Sequence, residues 1–179
     1  MSDDAPIRVG FGLGSNLGDQ PGNIREALRL LEARGIARLD AVSRIYRTPP
    51  WGDLDQGDFA NACAVGWTRL GAYELLAAVK TIEADMGRTP TRRWGPRLID
   101  VDILFLGDHT LDDPELTLPH KELFSRAFVL RPLAEISPSL WLDGVSVAEA
   151  AERVAATGIA LWEECPAPGP EPQRRSPNR

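Results

Sequence analysis

The chain has 179 residues, 43% hydrophobic and 26% charged, with a formal net charge of −6. That length and balance fit one globular domain with a substantial core, and the acidic balance excludes binding nucleic acid across a broad basic surface. No apolar run is long enough to span a bilayer, no secretory leader is visible, and Cys63 in a predicted core strand with Cys165 near the tail argues against a disulfide framework. A reducing, cytoplasmic setting is the expectation.

Ile7 to Leu13 reads as a short glycine-rich strand, followed by a turn-rich loop to Gly22. Asn23 is placed to cap a helix whose Ile24, Ala27, Leu28 and Leu31 share one face, and Gly35 ends it. A strand from about Arg38 to Tyr46 precedes a rigid loop from Arg47 to Gly57. Phe59, Asn61, Cys63, Val65 and Trp67 alternate with small residues, as in a strand with one small-residue face. Leu75, Val79, Ile82 and Met86 form a helical stripe closed by Gly87. Leu98 to Leu106 reads as a strand; Gly107 and Asp108 then turn the chain into a hairpin return through Leu111. A short segment from Leu116 to Pro119 leads to His120–Arg126, and Ala127 to Ile136 looks helical despite Pro132. Ser146 is positioned to cap a last helix from Val147 to Val154.

This order is not a strict βαβα alternation. It implies an α+β fold, a ferredoxin-like α/β sandwich with a mixed, mostly antiparallel central sheet and helices on both faces. One domain over residues 1–164 is expected, with a Pro/Arg-rich tail over 165–179 that lacks core-forming residues and reads as disordered.

Chemistry concentrates at Asp100 and Asp102. At i and i+2 of a strand the two carboxylates emerge on one face, where they repel each other and lose hydration. Either a hard divalent cation sits between them, or the run is an edge strand whose aspartate face meets water. Just upstream, Gly87–Arg97 carries Arg88, Arg92, Arg93 and Arg97 around Trp94. Guanidinium groups grip phosphate oxygens through a planar fork, and a carboxylate-held cation neutralises the same oxygens. The plainer alternative is a basic surface loop paired with acidic neighbours. The glycines from Gly10 to Gly18 do not match a dinucleotide fingerprint, no phosphate-binding GK[ST] loop occurs, and His109 and His120 with two cysteines show no zinc spacing.

Taken in order, G12-L-G-S-N-L-G-D19, Y46-R-T-P-P-W-G52, D58-F-A-N-A62, R93-W-G-P-R-L-I-D-V-D102 and L118-P-H-K-E-L-F-S-R-A-F128 closely resemble the 6-hydroxymethyl-7,8-dihydropterin pyrophosphokinase family, over roughly Ile7 to Leu142. The resemblance implies a ferredoxin-like fold and transfer of pyrophosphate from ATP to a pterin alcohol in folate biosynthesis. It implies two Mg²⁺ ions held by Asp100 and Asp102, with ATP as co-substrate. Arg88 and Arg97 are then catalytic with the two aspartates. Arg88, Trp94, Arg97, Ile103, Leu116, His120, Lys121 and Arg126 bind ATP, Ile103 and Leu116 at the adenine. Phe59 and Phe128 stack on the pterin, Asn61 bonds its edge, and Thr48, Pro49 and Trp51 form the wall. ATP and the pterin are the partners implied; no nucleic acid, membrane or obligate protein partner is expected.

Three positions depart from the family pattern. Trp51 stands where a smaller apolar residue is common, Lys121 where an aromatic hydroxyl can occur, and Pro90 where another arginine can stand, a place Arg92 or Arg93 could fill. The reaction implied is in-line attack of the hydroxymethyl oxygen on the β-phosphorus with AMP leaving, driven by positioning and charge neutralisation. No residue stands out as general base, since a metal role would depress the basicity of Asp102. Two other classes remain: a different Mg²⁺-dependent transferase on the same fold, and a non-catalytic binding protein that kept it.

Overall fold

The computed structural model describes residues 5–50, 57–87 and 97–163. Trp51, Arg88, Pro90, Arg92, Arg93, Trp94 and the tail from Cys165 lie outside the described residues.

In chain order the elements are β1 (Ile7–Ser15), α1 (Gln20–Ala33), β2 (Arg38–Val42), β3 (Ile45–Thr48), β4 (Phe59–Thr68), α2 (Ala72–Asp85), β5 (Asp100–Leu106), β6 (Leu111–Asp112), β7 (Thr117–Leu118), α3 (Ala127–Ile136), β8 (Trp141–Leu142), β9 (Val145–Ser146), α4 (Val147–Arg153) and β10 (Ala160–Glu163). The main sheet runs β10-β3-β4-β1-β5, and β2 also pairs with β4 along the line that β3 continues. Every pairing between its described strands is antiparallel. With β2 and β3 counted as one interrupted strand, β1 and its parallel partner flank β4, and β4 and β5 flank β1. Two interlocked split βαβ units of this kind make the ferredoxin-like plait.

Side-chain alternation divides the core between the two faces. Val9, Phe11 and Leu13 of β1, with Ala60, Ala62 and Ala64 of β4, pack against Ile24, Leu28 and Leu31 of α1 and Leu75, Val79 and Ile82 of α2. The small-residue face of β4 is what lets these helices sit close to the sheet. On the other face Cys63, Val65, Leu104 and Phe105 meet Val129, Leu130 and Leu133 of α3 and Val147 and Ala151 of α4. Fully burying each large aliphatic or aromatic side chain contributes about 1.5–3 kcal/mol, so both layers are needed to hold the sheet. Among the described residues no helix is long and apolar enough to cross a membrane.

Several boundaries differ from the sequence reading. Asp19, not Asn23, caps α1: its carboxylate accepts from Gly22 N at 3.0 Å, and Pro21 occupies the first turn where a missing N–H costs nothing. Asn23 instead donates to Ser15 Oγ and the Leu17 carbonyl, tying down the preceding loop. The strand expected from Arg38 to Tyr46 breaks at Ser43, whose hydroxyl accepts from Cys63 N at 2.9 Å, and the chain resumes as β3, taking Arg47 and Thr48 out of the loop. β5 starts at Asp100 rather than Leu98. Leu111 does not return along β5: β6 pairs with β7 in its own ribbon. The α3 and α4 expectations hold, with α4 ending at Arg153 and the Ser146 hydroxyl accepting from Glu149 N. The β8–β9 hairpin and β10 were not expected.

Candidate active site

The even-numbered side of β1 carries Gly10, Gly12 and Gly14, so β1 itself puts no side chain on the α3 face at these positions. β-Ladder register sets Gly14 between Asn61 and Asp100, and Gly12 between Cys63 and Asp102. The result is a cleft with a glycine floor, one wall from β3 and β4, the other from β5, and α3 across the mouth. Thr48, Pro49, Phe59, Asn61, Arg97, Asp100, Asp102, Arg126 and Phe128 all line it.

The aromatic side comes first. Thr48 pairs with Phe59 across β3 and β4, and Tyr46 with Asn61. The buried Asn61 amide donates to Thr48 Oγ1 at 2.6 Å. That bond points its carbonyl oxygen at Gly14, where a Cβ would stand 3.0 Å from it. Phe59 and Phe128, both half-buried, face the same cleft from β4 and α3. Two aromatic rings with a fixed amide between them suit a flat heterocycle with a polar edge.

The charged side is built on β5, which is an edge strand, with both aspartates half-buried toward the cleft. Each has its own cationic neighbour. Arg97 Nη1 donates to Asp100 Oδ2 at 2.7 Å, and Arg126 Nη1 stands 3.8 Å from Asp102 Oδ2. Arg97 is itself held by Asn16, whose side chain accepts from Arg97 N at 2.8 Å while Asn16 N donates back to the Arg97 carbonyl. Burial and the neighbouring Asp100 push the Asp102 carboxyl up to about 7, against the opposing pull of Arg126. The 32% of that side chain still open to water tempers the desolvation. Two carboxylates that resist sharing negative charge form a site that a cation would relieve.

His120 completes this edge. Its backbone N–H donates to the Leu104 carbonyl at 2.8 Å, and the ring Nδ1 accepts from Glu122 N at 3.2 Å. That leaves Nε2, 3.9 Å from Asp102 Oδ2, as the protonated nitrogen of a neutral ring. Burial, then Arg126, holds its pKa down to about 4. Arg126 is clamped by Glu122 through Nε and Nη2 at 3.0 and 2.7 Å, and its guanidinium lies 5.6 Å from the Phe128 ring centroid. One residue thus links the charged side to the aromatic side.

Among the described residues, His120 borders this cleft only through Asp102, and three other expected site residues do not reach it. Ile103 and Leu116 are buried in the α1/α2-side core, and the Leu116 N–H already donates to Asp113 Oδ1 at 2.9 Å. Lys121 is exposed. The sequence reading also missed contributors. Gly12, Gly14 and Asn16 form the floor and the Arg97 brace; a strand with alternate glycines signals close approach to its backbone. Glu83 of α2, 1% exposed, accepts from Val101 N at 2.8 Å, the peptide between the two aspartates. It gave no signal, because it occupies an ordinary place on a helical stripe.

A plait that sets paired carboxylates and arginines opposite an aromatic slot suits the class of enzymes that transfer a phosphate-bearing group to a flat acceptor. The profile of the 7,8-dihydro-6-hydroxymethylpterin-pyrophosphokinase (HPPK) family matches residues 10–138, and the chain belongs to that family, whose chemistry is pyrophosphoryl transfer in folate biosynthesis. It is 45% identical over 156 residues to the 2-amino-4-hydroxy-6-hydroxymethyldihydropteridine pyrophosphokinase of Methylorubrum extorquens, covering 87% of this chain and 99% of that one. Against the Pseudomonas aeruginosa enzyme of the same name it is 45% identical over 138 residues, 76% of this chain and 85% of that one. A mitochondrial folate synthesis bifunctional protein of Arabidopsis thaliana is 46% identical over 128 residues, where the match spans 72% of this chain but 23% of that one. The crystal structure of Plasmodium falciparum HPPK-DHPS with pteroate superposes with a TM-score of 0.66 at 16% identity, over 86% of this chain and 44% of that one, which shows the shared fold.

Proposed function

We propose that this chain transfers the terminal diphosphate of ATP to the hydroxymethyl oxygen of 6-hydroxymethyl-7,8-dihydropterin, releasing AMP. The observation that supports this most is the convergence, over one glycine floor, of Phe59, Asn61 and Phe128 with Arg97, Asp100, Asp102 and Arg126. Phe59 and Phe128 hold the pterin ring, and Asn61, oriented by Thr48, reads its polar edge. Pro49 closes the wall, with Trp51 two residues further along the chain. Arg97, Arg126 and His120, joined by Arg88, bind phosphate oxygens and keep the β-phosphorus in line with the acceptor oxygen. Trp94 covers the nucleotide. Ile103, Leu116 and Lys121 belong to this reading as nucleotide-side residues, acting beyond the cleft itself.

The donor set fits Mg²⁺. Among the described residues no group of three or more His, Cys, Asp or Glu side chains could hold a metal ion. Two carboxylates with the remaining positions left to substrate phosphates and water are what Mg²⁺ prefers. Asp100 and Asp102 would hold two such ions, which when bound would neutralise the charge developing on the phosphate oxygens. Arg97 and Arg126 flank the carboxylates and contribute the same electrostatic stabilisation from fixed positions. Residues 1–164 act as one catalytic unit in the cytoplasm, needing no protein partner.

The test is AMP formation by the purified chain. It should require ATP, the pterin alcohol and Mg²⁺ together, and disappear in Asp100→Ala. No AMP from the wild type, or undiminished AMP from the variant, would refute the reading.

A further inference from the structure

We propose that the segment from Ala156 to Trp162, which follows the family-matched region, is a positioning element for the acceptor wall: it clamps the outer edge of β3 and backs the Pro49 ring. Without it β3 would be a four-residue edge strand leading straight into Pro49. β10 removes that edge by pairing Ala160 with Arg47, Leu161 with Tyr46 and Glu163 with Ile45. On the face away from the cleft the Arg47 guanidinium stacks 4.6 Å over the Trp162 ring, pinning the two strands together.

The turn that starts β10 touches the wall directly. Ile159 N donates to the Ala156 carbonyl at 3.2 Å, and Gly158 has φ +79, the third position of a type II turn, which favours glycine. A Cβ on Gly158 would lie 3.1 and 3.2 Å from Pro49 Cγ and Cδ. The bare backbone of the turn therefore supports the Pro49 ring from behind, while the ring's other side lines the cleft beside Thr48 and Phe59. Thr48, one residue earlier, orients the Asn61 amide. The charged residues stand at the opposite edge of the sheet, on and around β5. A disturbance of the clamp should therefore reach the acceptor and leave the nucleotide side unmoved.

Gly158→Ala and Trp162→Ala test this, with Trp162→Phe as the rescuing variant because a phenyl ring still stacks under Arg47. Small displacements of a positioning wall are costly, so the KM for the pterin alcohol should rise on the order of 10-fold in the two disruptive variants, with the KM for ATP unchanged. This kinetic arm rests on the function proposed above. The second arm does not: hydrogen–deuterium exchange should speed up at residues 45–48 in Gly158→Ala and stay unchanged at 100–106. If the wild type makes no AMP, the functional reading fails and the exchange arm alone decides. Equal rises in both KM values, no rescue by Trp162→Phe, or unchanged exchange at residues 45–48 would overturn the clamp.

Discussion

The two edges of the sheet solve the same problem in opposite ways. At the β5 edge a largely buried strand carries two half-buried carboxylates, and a single buried side chain, Glu83, satisfies the peptide N–H between them. At the β3 edge an added strand, β10, closes the ladder and stiffens an apolar wall. The first edge is left open, which on the proposed function lets ions and phosphates enter and leave. The second is closed, which on the proposed function suits a flat ring recognised by shape and by one fixed amide. Glycines of β1 lie between the two and form the floor of the cleft they share.

The largest effect should come from breaking the charged edge. Asp102→Ala is expected to lower kcat by about 10³-fold, through loss of transition-state charge stabilisation; steady-state AMP production checks it, with circular dichroism to show that the fold persists. Next is the brace behind that edge. Glu83→Ala leaves Val101 N without its charged acceptor and should destabilise the protein by ~1.5–3 kcal/mol in urea titration. Its ATP kinetics should suffer more than its pterin kinetics, since Val101 lies between the aspartates. On the closed edge, Thr48→Val removes the acceptor that orients Asn61, and a buried amide left without this partner costs ~1–3 kcal/mol. That should appear as a raised pterin KM. Ser146→Ala, at the N-cap of α4 and away from both edges, should cost about 1 kcal/mol of stability and leave both KM values alone.

Much of this was legible because it is local or periodic. The spacing of Asp100 and Asp102, the shared face of Phe59 and Asn61, the α3 span and the Ser146 cap all follow from strand or helix repeat. Of the two options open for the aspartate run, the edge strand is what the fold shows, but its aspartates face a cleft lined by arginines rather than open water. What escaped was tertiary. The break between β2 and β3 depends on Ser43 bonding Cys63, 20 residues away. β10 forms because β3 offers a free edge, and no local pattern announces it. The Asp143–Gly144 turn of β8–β9 was a readable hairpin signal passed over. Glu83 and Asn16 were invisible as site residues because each acts on a backbone group that only the fold brings near.

The separation of the edges is tested most directly by measuring both KM values in Asn61→Ala and Asp100→Asn. Asn61→Ala should raise the KM for the pterin alcohol and leave that for ATP unchanged, whereas Asp100→Asn should depress kcat/KM for ATP. Parallel changes in both parameters in both variants would contradict a cleft built from two separately supported halves.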